Sequence, residues 1–241
     1  MAITFLTGDG AQGNVNSLTK ALDCTGASIL IARVWTVGDD CTGVTYAGAA
    51  MTLIGSAYQY NAGEYLSIYY KVSPTTGSNN AVASFSSTGV CAMRIGCFSG
   101  TSTTSIPDSV HNDAGGPGNT ATGVTTSVAD SCMGVMIARF EDGSPTAAGG
   151  SNFASSSGMG DAAGSYAILG YSAIKTPAGS ISMVAKSSGS SGVWGARIIS
   201  LAPPSAGGPA NLKTYNTNTK ANIKTINTNT LANCKTLDTN A

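Results

Sequence analysis

Short segments in which apolar and polar residues alternate run through residues 1–201, separated by clusters of Gly, Ser, Thr, Asn and Pro. In one of them Leu66, Ile68 and Tyr70 share a face of an extended chain. No window of helical length keeps a 3.6-residue period free of Gly. Turn signals about every eight to twelve residues are typical of an all-β sandwich or barrel.

The pattern predicts ten or more strands in an antiparallel sandwich of two sheets, of the jelly-roll or concanavalin-like class. The predicted strands are Ile3–Leu6, Ser28–Val37, Val44–Tyr46, Met51–Ile54, Leu66–Lys71, Ala81–Phe85, Ala92–Phe98, Thr122–Val128, Met133–Phe140, Tyr166–Leu169, Ile181–Lys186 and Val193–Leu201. The predicted core residues are Ile31, Trp35, Leu53, Ile68, Phe85, Ile137, Ile168 and Trp194.

Three zones divide the chain. Residues 1–201 form the predicted sandwich body, and residues 202–210, APPSAGGPA, form a linker whose prolines and glycines exclude a helix and a strand ladder alike. Residues 211–241 form a tandem repeat with a period of eleven residues and the pattern Asn-x-Lys-Thr-x-Asn-Thr-Asn.

Apolar residues recur at fixed places in this repeat. A low-complexity tail without structure would not need them, and an eleven-residue period would also fit a right-handed helical supercoil. Asn and Thr are poor helix formers, which favours extended or turn-rich structure. We predict that the repeat is an assembly segment whose contacts are Leu212, Tyr215, Ile223, Ile226 and Leu237.

A hairpin pattern and its neighbours carry a resemblance to known proteins. The segment 44–55 reads as two strands joined at Ala47-Gly48, preceded by the apolar run 25–32 and followed by 66–70. Over most of residues 18–201 the chain resembles the Gly/Ser/Thr-rich, lectin-like sandwich domains of phage virion and bacterial surface proteins. The repeat is similar to those that end phage tail and other virion proteins. The resemblance implies a fold but no residue roles.

Charge is scarce and unevenly placed. Charged residues make up 10% of the chain, against roughly 25% in an ordinary soluble domain. Residues 1–210 hold eight Lys or Arg and eleven Asp or Glu, whereas residues 211–241 hold four Lys and one Asp. A polar, uncharged surface lacks the repulsion that keeps copies apart. This balance favours self-association and does not suit nucleic-acid binding.

Candidate catalytic and metal-binding groups are few. His111 is the single histidine, no catalytic motif occurs, and Glu64 and Glu141 each lie beside turn residues. The acidic turns at 39–40, 108–113 and 141–143 could offer oxygen ligands to calcium, but Asp, Asn and Gly are also plain turn formers. The six cysteines form no C-x-x-C pair. We therefore predict no enzyme, metal site or cofactor.

A second kind of site is suggested by aromatic residues. Tyr58, Tyr60 and Tyr65 cluster around the loop 59–64 and could stack on sugar rings, as aromatic side chains do in lectin-like sandwiches. Tyrosines of this kind also cover sheet edges, where they are half-buried.

These observations predict a structural subunit of a phage virion or an extracellular fibre, which binds copies of itself and other virion or fibre proteins. The alternative is a carbohydrate-binding adhesin module that recognises surface glycans. A polysaccharide hydrolase would need an acid pair that the sequence does not display. No apolar run is long enough to span a membrane, and the start, MAITFLTGDG, has no signal-peptide pattern. Release by lysis, or a leader absent from this sequence, would give the expected extracellular or virion location.

Overall fold

A computed structural model describes most of the chain before residue 206. It covers residues 2–104, 106–116, 118, 120–141, 145–148, 151–152, 159–160, 166–188 and 192–205, with only the backbone described for 145–148, 151–152, 159–160 and 166–169. Met1–Pro204 form one compact unit. The repeat and its five predicted assembly residues lie outside the described residues.

The first half of the compact unit folds into one sheet of eight strands. The strands are β1 (Thr4–Asp23), β2 (Ile29–Val37), β3 (Cys41–Tyr46), β4 (Ala49–Ala50), β5 (Thr52–Leu53), β6 (Tyr58–Asn61), β7 (Glu64–Val72) and β8 (Ser78–Ser99). The long strands β1 and β8 pair antiparallel along nearly their whole length. The second part of β8 also pairs with β2, which pairs with β7, whereas the first part pairs with β3, which pairs with β4.

The second half forms two sheets. Its strands are β9 (Ser109–Gly115), β10 (Thr120–Thr126), β11 (Cys132–Phe140), β12 (Pro145–Ala148), β13 (Ser151–Asn152), β14 (Met159–Gly160), β15 (Tyr166–Lys175), β16 (Ser180–Ser187) and β17 (Trp194–Leu201). In one sheet β9 pairs with β17, β17 with β11 and β11 with β15. In the other, β10 pairs with β16 and β16 with β12.

The two halves repeat one pairing order. The order β1–β8–β2–β7 corresponds to β9–β17–β11–β15, and β1–β8–β3 corresponds to β10–β16–β12. Each long strand of the first half takes the place of two shorter strands in the second. The corresponding strands β2 and β11 both contain Ile-Ala-Arg, at 31–33 and 137–139. We name residues 4–99 the N-module and residues 109–201 the C-module.

Strand β1 bends back on itself. Its register with β8 shifts between Val15 and Ser17, and Lys20 Nζ lies 3.0 Å from Asp9 Oδ2. A straight strand would separate these two residues by about 36 Å. The sheet of the N-module therefore curls until it nearly closes.

Apolar side chains fill three separate layers. The first lies inside the N-module, the second between the modules, and the third between the two sheets of the C-module. Strand β2 contributes to two of them, because Leu30 and Val34 enter the first layer while Ile31 and Trp35 enter the second. A strand buried on both faces shows a continuous apolar run rather than alternation.

The structure confirms an all-β, antiparallel fold, and none of the described residues is helical. It corrects the predicted number of sheets: the described residues form three rather than two, because a third apolar layer is buried inside the C-module. Of the predicted core residues, Ile31, Trp35, Ile68 and Ile137 are buried, Leu53, Phe85 and Trp194 are partly exposed, and the side chain of Ile168 lies outside the described residues.

Four of the five described cysteines lie in the N-module. Cys24 and Cys97 form a disulfide between the end of β1 and the end of β8. Cys41, Cys91 and, in the C-module, Cys132 are buried free thiols, and burial raises the pKa of the Cys91 thiol to about 11. Protonated, buried thiols are poor nucleophiles, so these three act as small core residues.

Candidate functional site

Buried arginines are concentrated between the modules. Arg33, Arg94, Arg139 and Arg197 are each at most 8% exposed. Strand alternation directs Arg33 and Arg94 to the same face as Trp35 and the rest of the second layer. Buried charges require partners, so the contacts of these side chains decide what the layer can do.

An ion pair crosses from one module to the other. Arg139 of β11 places Nη2 3.0 Å from Oε1 of Glu64 on β7, and its guanidinium carbon lies 4.6 Å from the centroid of the Trp35 ring. Both charged side chains are nearly excluded from solvent, at 3% and 9% exposure. The pair and the cation–π contact therefore fix β11 against β2 and β7.

Arg197 of β17 binds backbone carbonyls of the N-module. Its Nη1 donates to the carbonyls of Ser56 and Leu66 at 2.6 and 3.2 Å, and Nη2 donates to the carbonyl of Ile54 at 2.5 Å. Three carbonyl dipoles replace the water that this guanidinium loses on burial. The side chain of Arg197 thus links the C-module to the N-module by hydrogen bonds.

Arg33 has far weaker contacts. Nη1 donates to the carbonyl of Gly170 at 3.4 Å, and Nε, like the Nε of Arg139 and Arg197, has no hydrogen-bond partner among the described residues. Arg94 lies directly opposite on β8. Burial, and secondarily the charge of Arg94, lower the pKa of Arg33 to about 9. Arg33, Arg139 and Arg197 thus bind carbonyls, a carboxylate and an aromatic ring, and each of these contacts joins one module to the other.

The three predicted glycan-contact tyrosines do not share one face. Tyr60 accepts a hydrogen bond from Trp35 Nε1 at 3.2 Å, and burial raises its pKa. Tyr58 and Tyr60 both pack against the second apolar layer. Tyr65 follows the alternation of β7 to the opposite face from Leu66. Glycan contact by these residues stays a prediction.

The acidic turns at 39–40 and 108–113 form hydrogen bonds with neighbouring strands and loops, whereas residues 142–143 of the third turn lie outside the described residues. Asp39 Oδ2 accepts from the hydroxyls of Ser86 and Ser87 at 2.8 and 2.6 Å. Asp108 accepts from the backbone of Val128 and from the Ser200 hydroxyl. The described residues contain no group of three or more potential metal ligands. His111 is exposed on β9, where it pairs with Ile198 of β17.

A groove of about 660 Å³ opens on the side of the N-module where β3 and β4 face β5 and β7. Buried Val44, Met51 and Tyr69 form its floor. The remaining lining residues are Asp40, Cys41, Thr42, Gly43, Thr45, Ala50, Leu53 and Ser84. Sequence reasoning missed this groove because its lining comes from separate segments that only the curled sheet brings together.

Strand β1 offers a candidate assembly edge. Within the described residues it pairs with β8 alone, so its other edge has no strand partner there. Natural edge strands carry prolines or charges that prevent pairing with another chain. β1 has no proline, and Asp9, Lys20 and Asp23 are its only charged residues. Its length and low charge suit pairing with a further strand.

Comparison with protein-family models, with curated proteins and with solved structures finds no match to this chain. Among the residues the structure covers, there is no helix of a length and apolarity that would cross a membrane.

Proposed function

We propose that the chain is a structural subunit of a virion or an extracellular fibre, built from two jelly-roll modules and joined to further copies through residues 211–241. Its partners are copies of itself and other proteins of the same particle. The observation that carries this proposal is the pairing order that occurs twice along the chain.

The pairing order supports the jelly-roll class. An eight-stranded jelly roll pairs its first strand with its last, and its second with its seventh. In the C-module β9 pairs with β17 and β10 with β16, and in the N-module the two parts of β1 pair with the two parts of β8. Jelly rolls are common in viral capsid proteins and lectins. Two of them in one subunit would provide the bulk of a particle wall or fibre.

Assembly is supported by the surface and the edge. The low charge of the chain removes repulsion between copies. The open edge of β1 can accept a strand from a neighbour, and the four lysines of residues 211–241 complement the excess of acids in residues 1–210. The tail of one copy thus reaches the next, with β1 as the acceptor.

Electron microscopy and light scattering on the purified protein test the proposal. The full chain is expected to form regular particles or fibres, whereas the protein truncated after Ala206 should give monomers or small oligomers. The far-ultraviolet circular dichroism of the truncated body should remain that of a β-protein. Equal assembly of the truncated protein would show that the tail is not the connector. A full chain that stays monomeric at all concentrations would refute the structural role.

A further inference from the structure

We propose that the groove between β3–β4 and β5–β7 binds a neutral saccharide. This binding site is independent of assembly, since it lies within the N-module of a single copy. Its residues are not the tyrosines that the sequence suggested.

The lining excludes charged ligands. Among the described residues no lysine or arginine lines the groove, so phosphate, sulfate or a nucleotide would lack there the cation that such groups need. The ammonium of Lys71 donates to the carbonyl of the lining residue Ala50 at 3.1 Å and is thereby engaged. Asp40 is the single carboxylate of the lining, too few for a divalent cation, which prefers several oxygen ligands. A neutral ligand remains.

The polar groups of the groove suit a polyol. Asp40 uses Oδ1 to accept from the Cys41 amide at 2.6 Å and from the Ser67 hydroxyl at 3.1 Å, which fixes the carboxylate and leaves Oδ2 for a ligand hydroxyl. Thr45 and Ser84 also line the groove, on the face of β3 and β8 opposite to buried Val44 and Ala83, and their hydroxyls make no hydrogen bond to any residue described. Carboxylate and hydroxyl groups together bind the vicinal hydroxyls of a sugar, because each sugar hydroxyl both donates and accepts.

The floor suits the apolar face of a sugar ring. Ala50 and Leu53 present accessible carbon atoms in the groove, whereas Val44, Met51 and Tyr69 are at most 7% exposed. Tyr69 is held in place because its hydroxyl donates to the Cys41 carbonyl at 2.9 Å. A concave site with an apolar floor, a few convergent polar groups and a volume of roughly 300–1,000 Å³ is typical of small-ligand sites, which also occur at the mouths of rolled sheets.

A larger side chain at Gly43 can be used to block the groove. It lines the groove, and a Cβ added there would meet no atom within 4 Å. Its backbone has no positive φ angle, so a larger side chain is tolerated without strain. Gly43→Leu should therefore fill the site and leave the fold intact.

The test is saturation-transfer NMR and calorimetry on the full chain with four neutral probes: maltotriose, cellotriose, mannotriose and triacetylchitotriose, with heparin disaccharide as an anionic comparison. At least one neutral probe should bind. Asp40→Asn should weaken that binding by about tenfold or more, since it removes a charge-assisted hydrogen bond. Gly43→Leu should abolish it with an unchanged thermal midpoint. Should Gly43→Leu fail to fold, Thr45→Val with Ser84→Ala takes its place.

Asp39→Asn is the matched control, because Asp39 is the adjacent carboxylate, binds Ser86 and Ser87, and lies outside the groove. It should bind the probe as the parent does. The proposal is overturned if none of the four neutral probes binds, if heparin disaccharide binds better than all of them, or if Asp39→Asn and Asp40→Asn lose equal affinity. None of these outcomes bears on whether the chain assembles.

Discussion

At the residue scale, the layer between the modules contains one arginine that its surroundings barely compensate. Arg139 contacts the carboxylate of Glu64 and the ring of Trp35, and Arg197 donates to three backbone carbonyls. Among the described residues, Arg33 makes one hydrogen bond, and it is long. A buried cation without a counter-charge opposes folding. Arg139 and Arg197 therefore stabilise the contact between the modules, whereas Arg33 does not.

Replacing Arg33 by an apolar side chain of similar length should not harm the fold. We expect Arg33→Met to leave the free energy of unfolding unchanged or to raise it, by up to about 4 kcal/mol, because it removes a desolvated charge. Urea denaturation measures this difference. A loss of stability of more than about 1 kcal/mol would show that Arg33 has a compensating partner.

The same residue predicts a pH dependence. Burial lowers the folded-state pKa of Arg33 from its ordinary value of 12.5 to about 9. Between these values the unfolded chain binds more protons than the folded one, so stability rises with pH. Below about 9 both states are protonated and Arg33 contributes no pH dependence. The stability advantage of Arg33→Met should therefore shrink between pH 8 and pH 10, and an advantage that grows in this window would contradict the assignment.

The ion pair of Glu64 and Arg139 should be far more important than the exposed pair of Asp9 and Lys20. Glu64→Gln leaves a buried guanidinium without a counter-charge and should cost about 3–5 kcal/mol. Asp9→Asn, whose side chain is 48% exposed, should cost less than about 1 kcal/mol. Denaturation of both variants under identical conditions makes the comparison. Equal losses would mean that the buried pair does not hold the modules together.

At the element scale, the strands that the sequence predicted best are those buried on both faces. The predicted Met133–Phe140 and Val193–Leu201 match β11 and β17 to within a residue, because continuous apolar runs stand out from the surrounding Gly and Ser. The apolar pattern found only the first residues of β1, since 7–17 are mostly polar or Gly. It also divided β8 in two at the polar stretch 86–89. Edge position and long-range pairing, not local propensity, make these segments strands.

The contact between β6 and β17 depends on the absence of a side chain. A Cβ at Gly195 would overlap the ring of Tyr60, so Gly195→Ala should destabilise the protein by about 1–3 kcal/mol through overpacking. Gly43→Ala, placed in open space, is the control and should have little effect. Adding Tyr60→Ala to Gly195→Ala should recover part of the loss in a double-mutant cycle. Purely additive losses would disprove the contact.

The open edge of β1 can be closed to partners by a single charge. Asn14→Lys adds a lysine to an exposed position of this edge strand, which should oppose pairing with a neighbouring chain. Assembly measured by light scattering should fall while the thermal midpoint stays the same. Ser182→Lys makes a matched charge change on an exposed position of β16, which lies between β10 and β12. Equal effects of the two lysines would implicate overall charge rather than the edge.

At the scale of the whole molecule, the duplicated pairing order could not have been read from the hydrophobic pattern, because pairing partners are far apart along the chain. A weak signal did exist: Ile-Ala-Arg occurs in both β2 and β11. The groove was equally hidden, since its lining comes from β3, β4, β5, β7 and β8. The apolar runs predicted the class of fold but not the number of modules.

The two modules should unfold together. Each presents apolar residues to the second layer, and separation would expose Trp35, Ile68 and Ile137 to water along with the cations of Arg139 and Arg197. If the modules separated while each stayed folded, the free energy of burying this apolar surface would be lost. The buried charges would also lose their partners. In urea, tryptophan fluorescence, which reports on Trp35 in the joint and Trp194 in the C-module, should therefore change at the same midpoint as circular dichroism, which reports on all sheets. Glu64→Gln should lower both midpoints equally. Two separated transitions in the parent protein would mean that each module is stable alone and that the arginine layer is a hinge rather than a joint.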